Sequence, residues 1–139
     1  FPTRRSSDLD SLIGQKGYVQ FEYVDAPLRH LFAAADLILS RAGANSICEI
    51  LALRKPNVLI PLSAAASRGD QILNARSFKN QGFSAVLEEE QMTGETLYHT
   101  IQDTYENRQE FISAMNQSTL SDAVDIVMNL IASYAETSA

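Results

Sequence analysis

The stretch that most constrains this chain runs from Ser40 to Leu53. An apolar run (Leu37, Ile38, Leu39) stops at a small-residue turn, Ala42-Gly43-Ala44, and helical spacing follows at Ile47, Ile50 and Leu51. A strand that breaks at a glycine and opens a helix presents free backbone N–H groups, and the positive helix end, to whatever sits above it. That corner suits a phosphate or a diphosphate.

The same alternation continues on both sides. Tyr18–Val24 alternates aromatic or β-branched residues with polar ones, the pattern of a strand. Asp25-Ala26-Pro27 offers a helix start, with helical spacing at Leu28, Leu31, Phe32 and Ala35. Leu37–Leu39 reads as a strand covered on both faces, and the helix after it as Ala44–Leu53. Asn57–Ile60 is the next buried strand, and Pro61–Ser67 a loop of small residues. A helix follows from Arg68 to Gln81, apolar at Ile72, Leu73, Ala75 and Phe78, with Gly82 ending it. Phe83–Leu87 is a third short strand, closed by a solvated Glu88-Glu89-Glu90 exit. Thr93 is an N-cap for a helix through Tyr105. The remaining chain is helical, most clearly over Leu120–Tyr134. Strand and helix alternating at this spacing predict an α/β fold: a Rossmann-like parallel sheet with right-handed crossovers and helices at the C-terminus.

Charge narrows the partners. The formal net charge is −6 over 139 residues, and the only basic cluster is Arg4-Arg5, so nucleic acid is a poor partner. No apolar run approaches the roughly 18 residues that span a bilayer. The single Cys48 cannot form an internal disulfide, which fits a reducing compartment. Phe1–Leu9 reads as the translation of a sequencing-adapter end, a non-native segment outside the fold, and removing it leaves the balance acidic. The expected domain is then residues 10–139, the later part of one whose opening elements lie upstream.

Parallel strands end on one edge of a sheet, and ligands of open α/β sheets bind outside that edge. The turn at Ala42–Asn45 and the loop at Ser63–Gln71 both follow strands, so they share a rim. Gly43, Ala44, Asn45 and Ser46 then lie within reach of Arg68, Gly69, Asp70, Gln71 and Asn74. Backbone donors, amides and carboxylates in one place suit a nucleotide with hydroxyl-bearing sugars better than a metal. Glu49 shares the helix face of Asn45 and Ser46 and leans toward the helix start. Two uses fit it: a carboxylate accepting from ribose hydroxyls, or the second half of a Ser46-x-x-Glu49 capping box. Cys48 reads as inert packing, and His30 and His99 as surface residues without a metal-ligand partner at ligand spacing.

Three segments then carry a resemblance. R-A-G-A-N-S-I-C-E-I, K-P-N-V-L-I-P-L and S-R-G-D-Q-I-L-N-A, in this order and at these spacings, resemble the C-terminal domain of the MurG family, bacterial peptidoglycan glycosyltransferases of the GT-B fold. The resemblance runs from about Tyr18 to the C-terminal helices, and is stronger to Gram-positive versions than to enterobacterial ones. It implies the donor-binding part of an inverting transferase that moves GlcNAc from UDP-N-acetylglucosamine to the undecaprenyl-diphospho-muramoyl-pentapeptide lipid. By motif, Gly43, Ala44, Asn45 and Ser46 face the diphosphate and Glu49 the ribose. Asp70 and Gln71 meet the sugar hydroxyls with Asn74 close by, and the backbone at Val24 pairs with the uracil edge. It implies no cofactor and no metal; N–H dipoles stabilise the departing UDP. Acceptor site and general base belong to an N-terminal domain absent from this sequence, so the segment alone is expected to be inactive, and the intact protein peripheral to the cytoplasmic face of the membrane. Asp70 stands where the family often has glutamine, and Asn45 where it often has an apolar residue. Other GT-B lipid glycosyltransferases and a non-catalytic nucleotide-sugar-binding module are the alternatives.

Overall fold

Short apolar strands that alternate with helices bury both faces only by pairing in parallel under crossover helices. In the computed structural model, which describes residues 11–12, 14–21, 28–64, 69–118 and 132, three strands do so. β1 (Ile38–Ser40), β2 (Asn57–Leu59) and β3 (Ala85–Val86) pair in parallel in that order. Ser40 stands opposite Leu59, and Leu59 opposite Val86. Bonds from Ile60 N–H to the Ser40 carbonyl (2.8 Å) and from Leu87 N–H to the Leu59 carbonyl (3.0 Å) carry the ladder to its C-terminal edge. Around the sheet lie α1 (Leu28–Ala34), α2 (Ala44–Leu53), α3 (Asp70–Asn80), α4 (Gly94–Glu106) and α5 (Arg108–Gln117), with a 3-10 turn at Glu89–Gln91.

Side chains alternate across β2. Leu59 joins Ile38, Ile47, Ile50, Phe78 and Met115 in the main core, while Val58 and Ile60 pack with Leu87 on the other face, under Leu97 and Ile101 of α4. Phe78 meets Phe83 edge to face, with ring centroids 5.5 Å apart at 86°. Burying a phenylalanine this completely contributes about 2–3 kcal/mol. Thr93 caps α4 as expected, in a reciprocal box: its Oγ1 accepts from Thr96 N–H (3.1 Å), and Thr96 Oγ1 accepts from Thr93 N–H (2.7 Å).

Several expectations are corrected. Residues 18–21 form no ladder, and Val19 and Phe21 are exposed. An alternating pattern becomes a strand only where a neighbour supplies hydrogen bonds, and the three described strands pair only with one another. The rest of that expected strand, Val24 included, lies outside the described residues. β1 is covered on one face only: Leu39, opposite the buried Val58, is 45% exposed, because α4 covers the β2 and β3 side of that face. α3 begins at Asp70 rather than Arg68, since Gly69 takes a left-handed φ of 84° and sets the helix start after it. On α3, Leu73 is exposed while Asn74 is buried completely. The helix expected over Leu120–Tyr134 lies outside the described residues apart from residue 132. Among the described residues no helix is long and apolar enough to cross a membrane.

Candidate functional site

The C-terminal edge of the sheet gathers the turn after β1, the loop after β2 and the exit from β3, and hydrogen bonds tie the three together. Arg41, just past β1, donates to the Ile60 carbonyl past β2 (3.3 Å) and forms an ion pair with Glu89 past β3. Gln71 Oε1 accepts from Ala42 N–H (3.2 Å) and from Leu62 N–H (3.0 Å). Asn74 Nδ2, one turn further along α3, donates to the Ala42 carbonyl (2.8 Å). The expected shared rim is therefore present in atomic contacts.

α2 starts on that rim at an N-cap with no side chain. Gly43 has φ −69° and ψ 147°, and its carbonyl accepts the first helical bond from Ile47 N–H (3.1 Å). The N–H groups of Ala44, Asn45 and Ser46 thus have no acceptor within the helix, and they carry the positive end of its dipole. Neither backbone nor neighbours demand glycine here. The φ is open to any residue, and a Cβ would meet nothing closer than Gln71 Nε2 at 3.9 Å. Gly43 therefore brings no side chain over these donors, although the fold does not require a glycine there.

The helix start decides between the two uses of Glu49. Ser46 is the third helical residue, not the N-cap, so Ser46-x-x-Glu49 cannot form a capping box. Glu49 lies in the second turn, half-buried, on the face of Asn45 and Ser46. Beside it, the Cys48 thiol is pushed above its ordinary range, first by burial and then by the Glu49 carboxylate. A thiol held protonated is a poor nucleophile, in keeping with a packing role. Asp70 occupies the first turn of α3, half-buried, on the same rim.

Of the expected site residues, the structure brings Gly43, Ala44, Asn45, Ser46, Glu49, Asp70, Gln71 and Asn74 to one edge. Two of them also serve the rim itself: Gln71 through its oxygen and Asn74 through its nitrogen. Sequence reasoning missed Arg41, although it stands two residues before the glycine, where a strand end meets the rim. It also read Glu89 as solvated, whereas its carboxylate is the ion-pair partner of Arg41. His99 is exposed beside Glu95, 3.8 Å away, and His30 is exposed. No group of three or more His, Cys, Asp or Glu that could hold a metal occurs among the described residues.

The model of the glycosyltransferase family 28 C-terminal domain matches residues 4–130. The chain is 61% identical over 116 residues to a UDP-N-acetylglucosamine–N-acetylmuramyl-(pentapeptide) pyrophosphoryl-undecaprenol N-acetylglucosamine transferase of Lachnoclostridium phytofermentans, covering 84% of this chain and 33% of that protein. Proteins of the same name are similar in Lachnospira eligens (57% over 122 residues, 88% and 34% covered) and Geobacillus thermodenitrificans (54% over 125 residues, 90% and 35% covered). The chain spans about a third of the length of these curated relatives.

Proposed function

The chain belongs to the glycosyltransferase family 28 C-terminal domain family, and from that premise we propose that it is the donor-binding part of a longer transferase. That transferase moves N-acetylglucosamine from UDP-N-acetylglucosamine to the muramyl-pentapeptide pyrophosphoryl-undecaprenol lipid, as the names of its relatives describe. The parallel sheet under crossover helices fits one half of a GT-B pair of Rossmann-like domains. The observation that carries the reading is the start of α2 on the rim, where Gly43 offers no side-chain cap to the three first-turn N–H groups.

In the reaction, the acceptor hydroxyl oxygen attacks the anomeric carbon of GlcNAc from the face opposite UDP. The bond from that carbon to the phosphate oxygen breaks, its electron pair leaves with UDP, and the acceptor proton passes to a general base. Negative charge grows on the diphosphate as that bond breaks. The N–H groups of Ala44, Asn45 and Ser46, already oriented by the helix, stabilise it without reorganisation. Asp70 argues for this side of the rim: its carboxylate accepts well from sugar hydroxyls but repels a diphosphate, so the diphosphate belongs over α2 and the sugar over α3. Gln71 Nε2 lies beside the sugar, while Asn74, buried completely, backs the rim by holding the Ala42 carbonyl. Glu49, one turn into α2, takes the ribose hydroxyls, and the backbone at Val24 the uracil edge.

The acceptor lipid, the general base and the membrane-facing surface fall to the other two thirds of the longer protein, which acts peripherally at the cytoplasmic face of the membrane. The net charge of −6 leaves nucleic acid out of the partners of this part. The test is to titrate UDP, UDP-GlcNAc and ADP-glucose against the 139-residue chain, then assay transfer to the lipid acceptor. Binding of both uridine nucleotides without turnover is expected. Transfer by this chain alone contradicts the division of labour, and equal affinity for ADP-glucose contradicts the uridine site.

A further inference from the structure

Ala42, the residue before the glycine, is held at both of its peptide groups by one helix. Its N–H donates to Gln71 Oε1 (3.2 Å), and its carbonyl accepts from Asn74 Nδ2 (2.8 Å). Gln71 and Asn74 are three residues apart, so they share a face of α3. The same Gln71 oxygen also accepts from Leu62 N–H (3.0 Å), in the loop after β2. Which end of the carboxamide is oxygen follows from chemistry: two N–H donors converge on this atom, and an NH2 group could accept neither. One side-chain atom therefore joins three segments: the turn after β1, the loop after β2 and the first turn of α3.

The carbonyl of Ala42 belongs to the peptide unit that leads into Gly43, and this unit sets the direction in which α2 leaves the sheet. Gly43 supplies no direction of its own, because its backbone angles are ordinary and its neighbourhood open. Orientation of the α2 donors is imposed from α3.

We propose that Gln71 is a positioning residue of the donor site: through Oε1 it locks the turn after β1 to the loop after β2, and so aims the first-turn N–H groups of α2 at the diphosphate. The proposal rests on the donor-site reading above. It differs from a role confined to touching the sugar, and the two separate cleanly. A contact to the sugar matters only when the sugar is present, whereas a latch on the α2 start matters for UDP alone.

The test compares the 139-residue chain with its Gln71→Leu and Gln71→Glu variants by residue-resolved amide exchange and by calorimetric titration of UDP and UDP-GlcNAc. In Gln71→Leu, exchange protection at Ala42 and Leu62 is expected to fall about tenfold, the weight of one net hydrogen bond. Protection at Ile60, bonded to the Ser40 carbonyl, stays unchanged. UDP weakens by about the same factor, and UDP-GlcNAc by at least as much, because its sugar also loses the Gln71 amide. Gln71→Glu keeps an acceptor for both amides and retains their protection. If Gln71→Leu does not fold, Gln71→Asn, one methylene too short to span both donors, is read the same way. Unchanged protection at Ala42 and Leu62 overturns the proposal. So does a loss confined to UDP-GlcNAc with UDP untouched. If the unsubstituted chain binds neither nucleotide, the donor-site reading fails, while the exchange data still decide whether the latch exists.

Discussion

Replacing Gly43 by aspartate separates what α2 needs from what a ligand above it needs. The backbone at Gly43 (φ −69°, ψ 147°) accepts any L residue, and a Cβ there meets only Gln71 Nε2 at an ordinary 3.9 Å. Exchanging glycine for such a residue at compatible angles stabilises a fold by about 0.4–1 kcal/mol, chiefly by restricting the unfolded chain. A carboxylate at the N-cap then accepts from first-turn N–H groups, adding a few tenths over glycine, and its charge opposes the helix dipole favourably by about 0.3–1 kcal/mol. The sum is about 1–2 kcal/mol, a rise in melting temperature of roughly 3–8 °C for a chain of this size. The same carboxylate occupies the donors meant for a diphosphate and repels it. Two unit charges 4 Å apart repel by about 4 kcal/mol at an effective dielectric near 20, and half of that already costs about thirtyfold in affinity. Gly43→Asp should therefore melt higher and bind UDP at least about thirtyfold more weakly, read by thermal denaturation without ligand and by calorimetry with it. Retained UDP affinity would place the diphosphate elsewhere, and a lower melting temperature would contradict the geometry at Gly43.

Glu49→Ala should weaken UDP binding about tenfold or more, the scale of hydrogen bonds to a charged group; unchanged affinity with a lower melting temperature would reduce Glu49 to a structural residue. Thr93→Ala removes the reciprocal cap of α4 and should cost about 1 kcal/mol in thermal unfolding, with UDP titrations unmoved because the bonds of the cap run among Thr93, Thr96 and Gln91 and involve no residue of the donor site. Cys48 gives a pH signature. Its thiol holds its proton above the ordinary range in the folded chain, so unfolding at alkaline pH releases a proton, and stability present below the unfolded thiol value falls as pH rises through the folded one. Iodoacetamide should accordingly label Cys48 with a midpoint above that of an unfolded cysteine; a midpoint below it refutes the burial argument.

The parts of this fold that were legible in sequence are those where one residue type has one use. The run ending at Leu39, the small turn at Gly43 and the face of Ile47, Ile50 and Leu51 announced a strand, a break and a helix, and all three occur. Thr93 announced a cap because its hydroxyl serves the helix start next to it. What escaped depends on partners distant in sequence. Periodicity placed Leu73 in the core and left Asn74 to the rim, yet the α3 face is turned so that Asn74, buried completely, can hold the Ala42 carbonyl. Arg41 and Glu89 are 48 residues apart, and only the parallel order of the three strands brings their exits together. The Ser46-Glu49 spacing looked like a cap because spacing alone does not say where a helix begins; Gly43 opens α2 one turn earlier.

The measurement that bears most directly on the account is the backbone amide spectrum of the 139-residue chain during a UDP titration. The account predicts that the largest shifts fall on the amides of Ala44, Asn45 and Ser46, moving downfield as they take up phosphate oxygens, with smaller ones around Glu49. Shifts that leave these three amides unmoved and gather on another face of the sheet would contradict it.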